Sequence, residues 1–329
     1  MGPVLWVGFF LLIFALLALD LGVFHRNPHA VTTKEALGWT AVWVAVSLLF
    51  NVGIYFIYDA HWFPDSPEQL DGKGAAVRFF TAYLIEKMLS LDNIFVIAAI
   101  LASFRVPATA QHRVLYWGVL GALVMRGLMI FAGTAALRQF SWLIYPLGAL
   151  LLFTGAKMFG PEGDDDPEVP KDNVIVRYVR RVVPVASEFH GTHFFVRVDG
   201  KRGVTPLFLA LIAVEATDVL FAVDSVPAVI AVTLDPFIVF TSNVFAILGL
   251  RSLFFALQSM LDRFRYLKPT LALIRCGVGG KMIAQHHYKI DPLISLGVIA
   301  VALLLGVILS LRHERKEAAK TDTTPPPVD

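Results

Sequence analysis

The chain has 329 residues, 57% of them hydrophobic, with a mean hydropathy of +0.67 and a formal net charge of +2. That composition excludes a soluble globular domain and predicts an all-α polytopic membrane protein. A single cysteine, Cys276, excludes an internal disulfide and a thiolate metal cluster, and no basic, aromatic face suited to nucleic acid occurs.

Runs of about 20 apolar residues predict about nine transmembrane helices, near 4–24, 38–58, 78–103, 114–136, 141–159, 204–231, 235–257, 267–285 and 291–311. The first run lacks a basic n-region and carries Asp20, so it is a retained span and not a signal peptide. The third holds EKMLSLDNIF, with Glu86 and Asp92. Between the fifth and sixth lies a loop, 160–203. Its GPEGDDDPEVP stretch is an acidic linker, and its VIVRYVRRVV stretch is a basic amphipathic segment suited to the membrane surface. HFFVRVDGKRGVTP predicts a hairpin around Asp199-Gly200. The sixth span holds ATDVLFAVDSVPAV, with Asp218, Asp224 and Pro227, and Glu215 just before it. The eighth contains Pro269, Arg275 and Gly277–Gly280 and is either a span or a re-entrant segment. Residues 1–312 form one transmembrane domain, and 313–329 form a disordered cytoplasmic tail.

Lysine and arginine orient this scheme. With the N-terminus outside and the C-terminus cytoplasmic, eighteen of the 28 lie in cytoplasmic segments and four (Lys73, Arg78, Arg138, Lys289) outside. That asymmetry follows the positive-inside rule, as expected for a bacterial inner membrane.

The chain also repeats itself. Aligning Asp92 with Asp224 sets Glu86 against Asp218. GVLGALVMRGLMIF (118–131) then resembles SNVFAILGLRSLFF (242–255), placing Arg126 against Arg251, and Lys157 falls against Lys281. Residues 78–159 and 204–285 are therefore read as two three-helix repeats. Three is odd, so the copies insert with inverted topology, an architecture that places substrate between them.

Six intramembrane carboxylates, Asp20, Glu86, Asp92, Glu215, Asp218 and Asp224, are the candidate transport path, because isolated charge at that depth is costly. With Asn93, Ser225, Ser90, Thr217 and Asn243 they make an all-oxygen set that suits Mn²⁺, Ca²⁺ or Mg²⁺. Met88 and Met282 are read as packing, Cys276 as inert, and His286 and His287 as solvent-facing. Positions six apart lie about 120° apart on a helix. Glu86 and Asp92 reach one ion only if the helix unwinds or the site lies among several helices. Pro227 cannot bond the Val223 carbonyl and marks a candidate helix break. The alternative is internal pairing: Lys87, Arg126, Lys157, Arg251, Arg275 and Lys281 match the acids in number, with Arg126 and Arg251 as the foremost partners.

DLGVFHR, EKMLSLDNIFV, EATDVLFAVDSVPAV and TSNVFAILGLRSLFF together resemble the TerC/Alx family of integral membrane proteins, and the Alx-like branch in particular. The resemblance implies LysE-related transporters connected with manganese efflux, with the acids of both motifs on the path. Arg275 interrupts a run that is apolar in the family. The expectation is a secondary transporter exporting a divalent cation, Mn²⁺ ahead of Ca²⁺, by proton antiport. Mn²⁺ would be substrate, not cofactor. The competing expectation is a non-transporting membrane scaffold. An enzyme is disfavoured, since no nucleophile–base set appears. Partners are the cation, protons and the lipid bilayer; the oligomeric state is not legible.

Overall fold

The structure, a computed structural model, describes residues 2–24, 32–62, 68–159, 174–198, 201–258, 267–284 and 291–321. Within these, some side chains, those of Asp20 and Asp92 among them, lie outside the description. His286, His287, Asp199-Gly200 and the whole acidic linker also fall outside it.

Helices dominate: α1 (Gly2–Phe24), α2 (Thr33–Asp59), α3 (Gly72–Ser103), α4 (Ala108–Gln139), α5 (Ile144–Lys157), α6 (Val174–Val182), α7 (Pro206–Ile230), α8 (Pro236–Leu248), α9 (Leu250–Gln258), α10 (Leu267–Ala284) and α11 (Pro292–Thr321). Starts are set by side-chain caps. Asp71 accepts from the Gly74 amide at 2.8 Å, and Asp235 accepts from the Phe237 and Ile238 amides at 3.0 and 3.3 Å. Pro206 and Pro236 occupy the first helical position, where a missing amide costs nothing. The expected hairpin is present as β1 (Phe195–Val198) and β2 (Lys201–Val204), antiparallel with Val198 opposite Lys201.

The expected spans fall on α1, α2, α3, α4, α5, α7, the α8–α9 pair, α10 and α11. By length and composition, five described helices (α1, α2, α4, α7, α11) can each cross a membrane, and the α8–α9 pair makes a sixth if its 40° bend lies within one span. The others fall short for visible reasons. Glu86, Lys87 and Asp92 interrupt the middle of α3, α5 has only 14 residues, and α10 carries Lys268, Arg275 and Lys281.

Packing pairs the two triplets crosswise. α3 packs on α8 as α7 packs on α4, and α5 packs on α10. A two-fold exchange of the triplets would produce this pattern. The glycines two residues before each repeated lysine, Gly155 and Gly279, both lie in the α5–α10 contact. A Cβ on Gly155 would sit 3.0 Å from the Cys276 amide nitrogen, and one on Gly279 would sit 2.8 Å from the Gly148 carbonyl. Small residues allow such approach between helices in lipid.

Links two helices apart meet at the same end. Glu68, before α3, accepts from Thr233 Oγ1 at 3.0 Å and from the Leu234 amide at 2.5 Å, before α8. At the other end Arg113 of α4 donates to Thr192 Oγ1 at 3.2 Å and lies 4.9 Å over the Phe194 ring, near the hairpin that precedes α7.

Two apolar cores result. One, at the Glu68 end, gathers Phe79, Ile85, Leu89, Ile130, Val226, Val229, Phe237 and Phe245. The other, at the hairpin end, gathers Ile94, Ile97, Val114, Leu207, Val214, Leu250 and Phe254. α3 and α7 contribute to the cores in opposite order along the chain, so they run antiparallel. Between the cores lies a polar waist, level with the α8–α9 bend at Gly249.

Candidate functional site

Glu86 lies near the middle of α3, Asp218 near the middle of α7, and both meet Arg126 of α4. The Arg126 fork holds Asp218 by two bonds, Nε to Oδ2 at 3.1 Å and Nη2 to Oδ1 at 2.9 Å. Its Nη1 pairs with Glu86 Oε1 and reaches Ser225 Oγ at 3.4 Å. With the amide set to satisfy both its ends, Asn93 accepts from Nη2 at 3.0 Å and donates to the Leu89 carbonyl at 3.2 Å. Glu86 is fully buried, and Arg126, Asn93 and Ser225 are buried with it. Coulomb attraction and the fork geometry together offset the desolvation of these charges. Glu86 Oε2 is buried and has no hydrogen-bond donor among the described residues.

A second pair joins Asp224 Oδ2 to Arg275 Nη1 at 3.5 Å, linking α7 to α10. Arg275 is thus an acid's partner as well as an interruption of an apolar run. The signal for this was available, since a buried arginine in an apolar helix needs a carboxylate. Lys87, adjacent to Glu86, instead points across to the second triplet. Its Nζ donates to the Ala246 carbonyl at 3.2 Å, in the last turn of α8 before the bend. Its place among the bases that match the acids in number had suggested a carboxylate partner instead.

Glu215 is half-buried, one turn before Asp218, and packs directly against Gly121 of α4, where a Cβ would strike its carboxylate. No ion-pair partner for it occurs among the described residues. Arg251 of α9 lines a cavity of about 20 Å³ with Asp218, Gly118, Ala122 and Phe254. That is room for a single water.

Other candidates are less available. The Ser90 and Thr217 hydroxyls each bond a carbonyl of their own helix, at 2.8 Å. Met282 is fully buried in packing. Cys276 packs between α10 and α5, with Sγ 3.9 Å from the Leu152 carbonyl. Lys157 is exposed at the end of α5, as a snorkelling lysine would be.

One expectation needs correction. Pro227 does not break its helix. α7 runs through it and ends one turn later at Ile230, so the lost hydrogen bond falls where the ladder is already closing. The bend occurs at Gly249 instead. Among the described residues, which leave out the side chains of Asp20 and Asp92, no three His, Cys, Asp or Glu side chains converge. Six residues of helix rise about 9 Å. Because α3 and α7 are antiparallel, position 92 lies toward the hairpin end of the waist and position 224 toward the Glu68 end. The carboxylates are strung along the bundle, with Glu86 and Asp218 at its centre.

A model described as the integral membrane protein TerC family matches residues 71–318. This chain belongs to the TerC family. Relatives agree with the assignment. A Myxococcus xanthus protein named uncharacterized membrane protein STKORF319 is 48% identical over 327 residues, 99% of this chain and 98% of its own. Alx of Escherichia coli (strain K12), named as a candidate membrane-bound redox modulator, is 43% identical over 323 residues, 95% of this chain and 97% of its own. Alx of Salmonella typhi is 43% identical over 316 residues. No solved structure matches. The TerC match begins at Asp71, the cap of α3, and so contains both triplets and the whole polar waist while leaving out α1 and α2.

Proposed function

We propose that this TerC-family protein is a secondary transporter that exports a hard divalent cation, with Mn²⁺ as first candidate, from the cytoplasm in exchange for protons. The observation that carries this reading is the waist. One carboxylate from each triplet reaches the same buried point, and Glu86 keeps an unfilled oxygen there. Glu86, Asp218, Asn93 and Ser225 would bind the cation at the centre. Asp224 and Asp92 would serve as way-stations on either side, Glu215 as the neighbour of Asp218, and Asp20 as an entry or exit group. Hard oxygen donors suit Mn²⁺ over softer metals.

The chain would lie in a bacterial inner membrane with its N-terminus outside. A reporter active only outside the cytoplasm, fused after Lys320, should then stay silent.

The test of function is ⁵⁴Mn²⁺ movement in vesicles. Asp218→Asn and Asp224→Asn should each lower it by about tenfold or more, as expected for intramembrane acids on an ion path. Variants that move Mn²⁺ as wild type does would favour the scaffold reading, which the pairs Glu86–Arg126–Asp218 and Asp224–Arg275 also fit. A redox role of the kind named for Alx has less to work with, because one buried-side thiol, Cys276, cannot form an intramolecular dithiol.

A further inference from the structure

We propose that Arg126 is a built-in counter-cation. Its guanidinium takes the places of the transported cation on Glu86 and Asp218 whenever that cation is absent. The inference rests on the transport reading and specifies how its central site is kept when empty.

The contacts of Arg126 are those a bound cation would make. Four oxygen-bearing side chains ring it: Glu86, Asp218, Asn93 and Ser225. They come from α3 and α7, one helix from each triplet, while Arg126 itself belongs to α4. A divalent ion entering this ring meets the same oxygens and must displace the guanidinium from at least some of them. Two carboxylates and one guanidinium leave the ring one negative charge, and Glu86 Oε2 has no donor. An arriving cation is therefore attracted before the exchange occurs.

A second stop for the guanidinium is in place. Side chains on a helix lean toward its N-terminus, so Arg126 leans toward the turn that contains Gly121 and Ala122. Glu215 lies against Gly121, half-buried and without an ion pair among the described residues. Gly121 is what lets that carboxylate come so close to α4. A shift of one turn, from Asp218 to Glu215, keeps Arg126 paired while the cation holds Glu86 and Asp218. When the cation leaves, the guanidinium returns, and Glu86 and Asp218 again share a positive partner while the empty carrier reorients. A residue with two partners and one competitor is a two-state element that the cation can bias.

The experiment uses the full chain, purified and reconstituted, as wild type, Arg126→Gln and Arg126→Lys, with Mn²⁺ as probe. Binding is read by titration calorimetry. Movement is read in two modes, Mn²⁺/Mn²⁺ exchange across the vesicle membrane and net Mn²⁺ movement into Mn²⁺-free buffer. Without its competitor, Arg126→Gln should bind Mn²⁺ about tenfold tighter, retain measurable exchange and lose net movement by about tenfold or more, since only the empty carrier needs the counter-cation. Arg126→Lys keeps a charge but loses the fork, so it should bind about threefold tighter with slowed net movement. If Arg126→Gln does not yield a monodisperse protein, Arg126→Lys carries the test alone. Unchanged or weaker Mn²⁺ affinity in the folded variants, or exchange and net movement lost in equal measure, would overturn the counter-cation role. A wild type that binds and moves no Mn²⁺ would overturn both this inference and the transport reading. Wild-type transport with an indifferent Arg126 would overturn the inference alone.

Discussion

Glu86 of α3 and Asp218 of α7 share a single guanidinium, that of Arg126. Removing the arginine alone strands two buried carboxylates. Arg126→Met should cost about 3–5 kcal/mol of stability when no divalent cation is present. Adding Glu86→Gln and Asp218→Asn removes the stranded charge and should restore most of the loss. Thermal unfolding in detergent follows both variants. A triple variant as fragile as the single one would mean that charge pairing does not hold the waist.

Cation and proton compete for the same carboxylate oxygens, so in the antiport reading any proton held on the empty carrier leaves as the cation enters. An inward proton gradient should then drive Mn²⁺ outward, each pH unit supplying about 1.4 kcal/mol per proton exchanged. The measurement is Mn²⁺ flux in proteoliposomes at clamped membrane potential, with internal pH recorded. Flux that ignores the gradient, with no pH change, would leave a uniporter and remove the antiport.

Lys87 and Gly249 should behave as one unit. The Lys87 ammonium bonds the Ala246 carbonyl, and a Cβ at Gly249 would stand 2.7 Å from Lys87 Nζ and 3.1 Å from Trp43 Cβ. Lys87→Met should cost about 1–3 kcal/mol, the usual range for a buried charged hydrogen bond. Gly249→Ala should disturb the same contact, so the double variant should lose less than the sum of the two. Additive losses would show that the lysine does not secure the bend.

Three neighbouring glycines offer an internal control for the α5–α10 contact. At Gly279 an added Cβ meets backbone at 2.8 Å, whereas at Gly277 and Gly280 nothing lies within 4 Å. Gly279→Ala should lower stability by about 1–3 kcal/mol through overpacking, while the alanine variants at 277 and 280 stay near wild type. Equal Tm values for all three would contradict the crosswise pairing of the triplets.

Much of this was legible in the chain itself. The helical membrane architecture, Arg126 as partner of the acids and the hairpin all follow from residue type and spacing. The arrangement of the acids along the bundle was not, because inverted topology opposes the two helices without saying which residues lie level, and only the shared Arg126 sets Glu86 beside Asp218. The bend was misplaced for a related reason. Proline is a strong local signal, but Pro227 sits where α7 is ending, whereas Gly249 sits in the middle of an apolar run with no companion to mark it. Lys87 was under-read because its acceptor is a backbone carbonyl, which sequence does not display.

The division of the bundle into two apolar cores has an electrical consequence. On α7 the hairpin-end core takes residues 207–214 and the other takes 222–230. Each is about 12–14 Å thick at 1.5 Å per residue, roughly half the hydrocarbon thickness of a bilayer. The molecule is two thin insulators in series with a polarisable layer between them. Transmembrane voltage falls across both, and a charge resting at Arg126 has crossed only one. In the transport reading, separating the helices at one insulator would connect the middle layer to one compartment while the other still holds the full potential, so access would change sides without a leak.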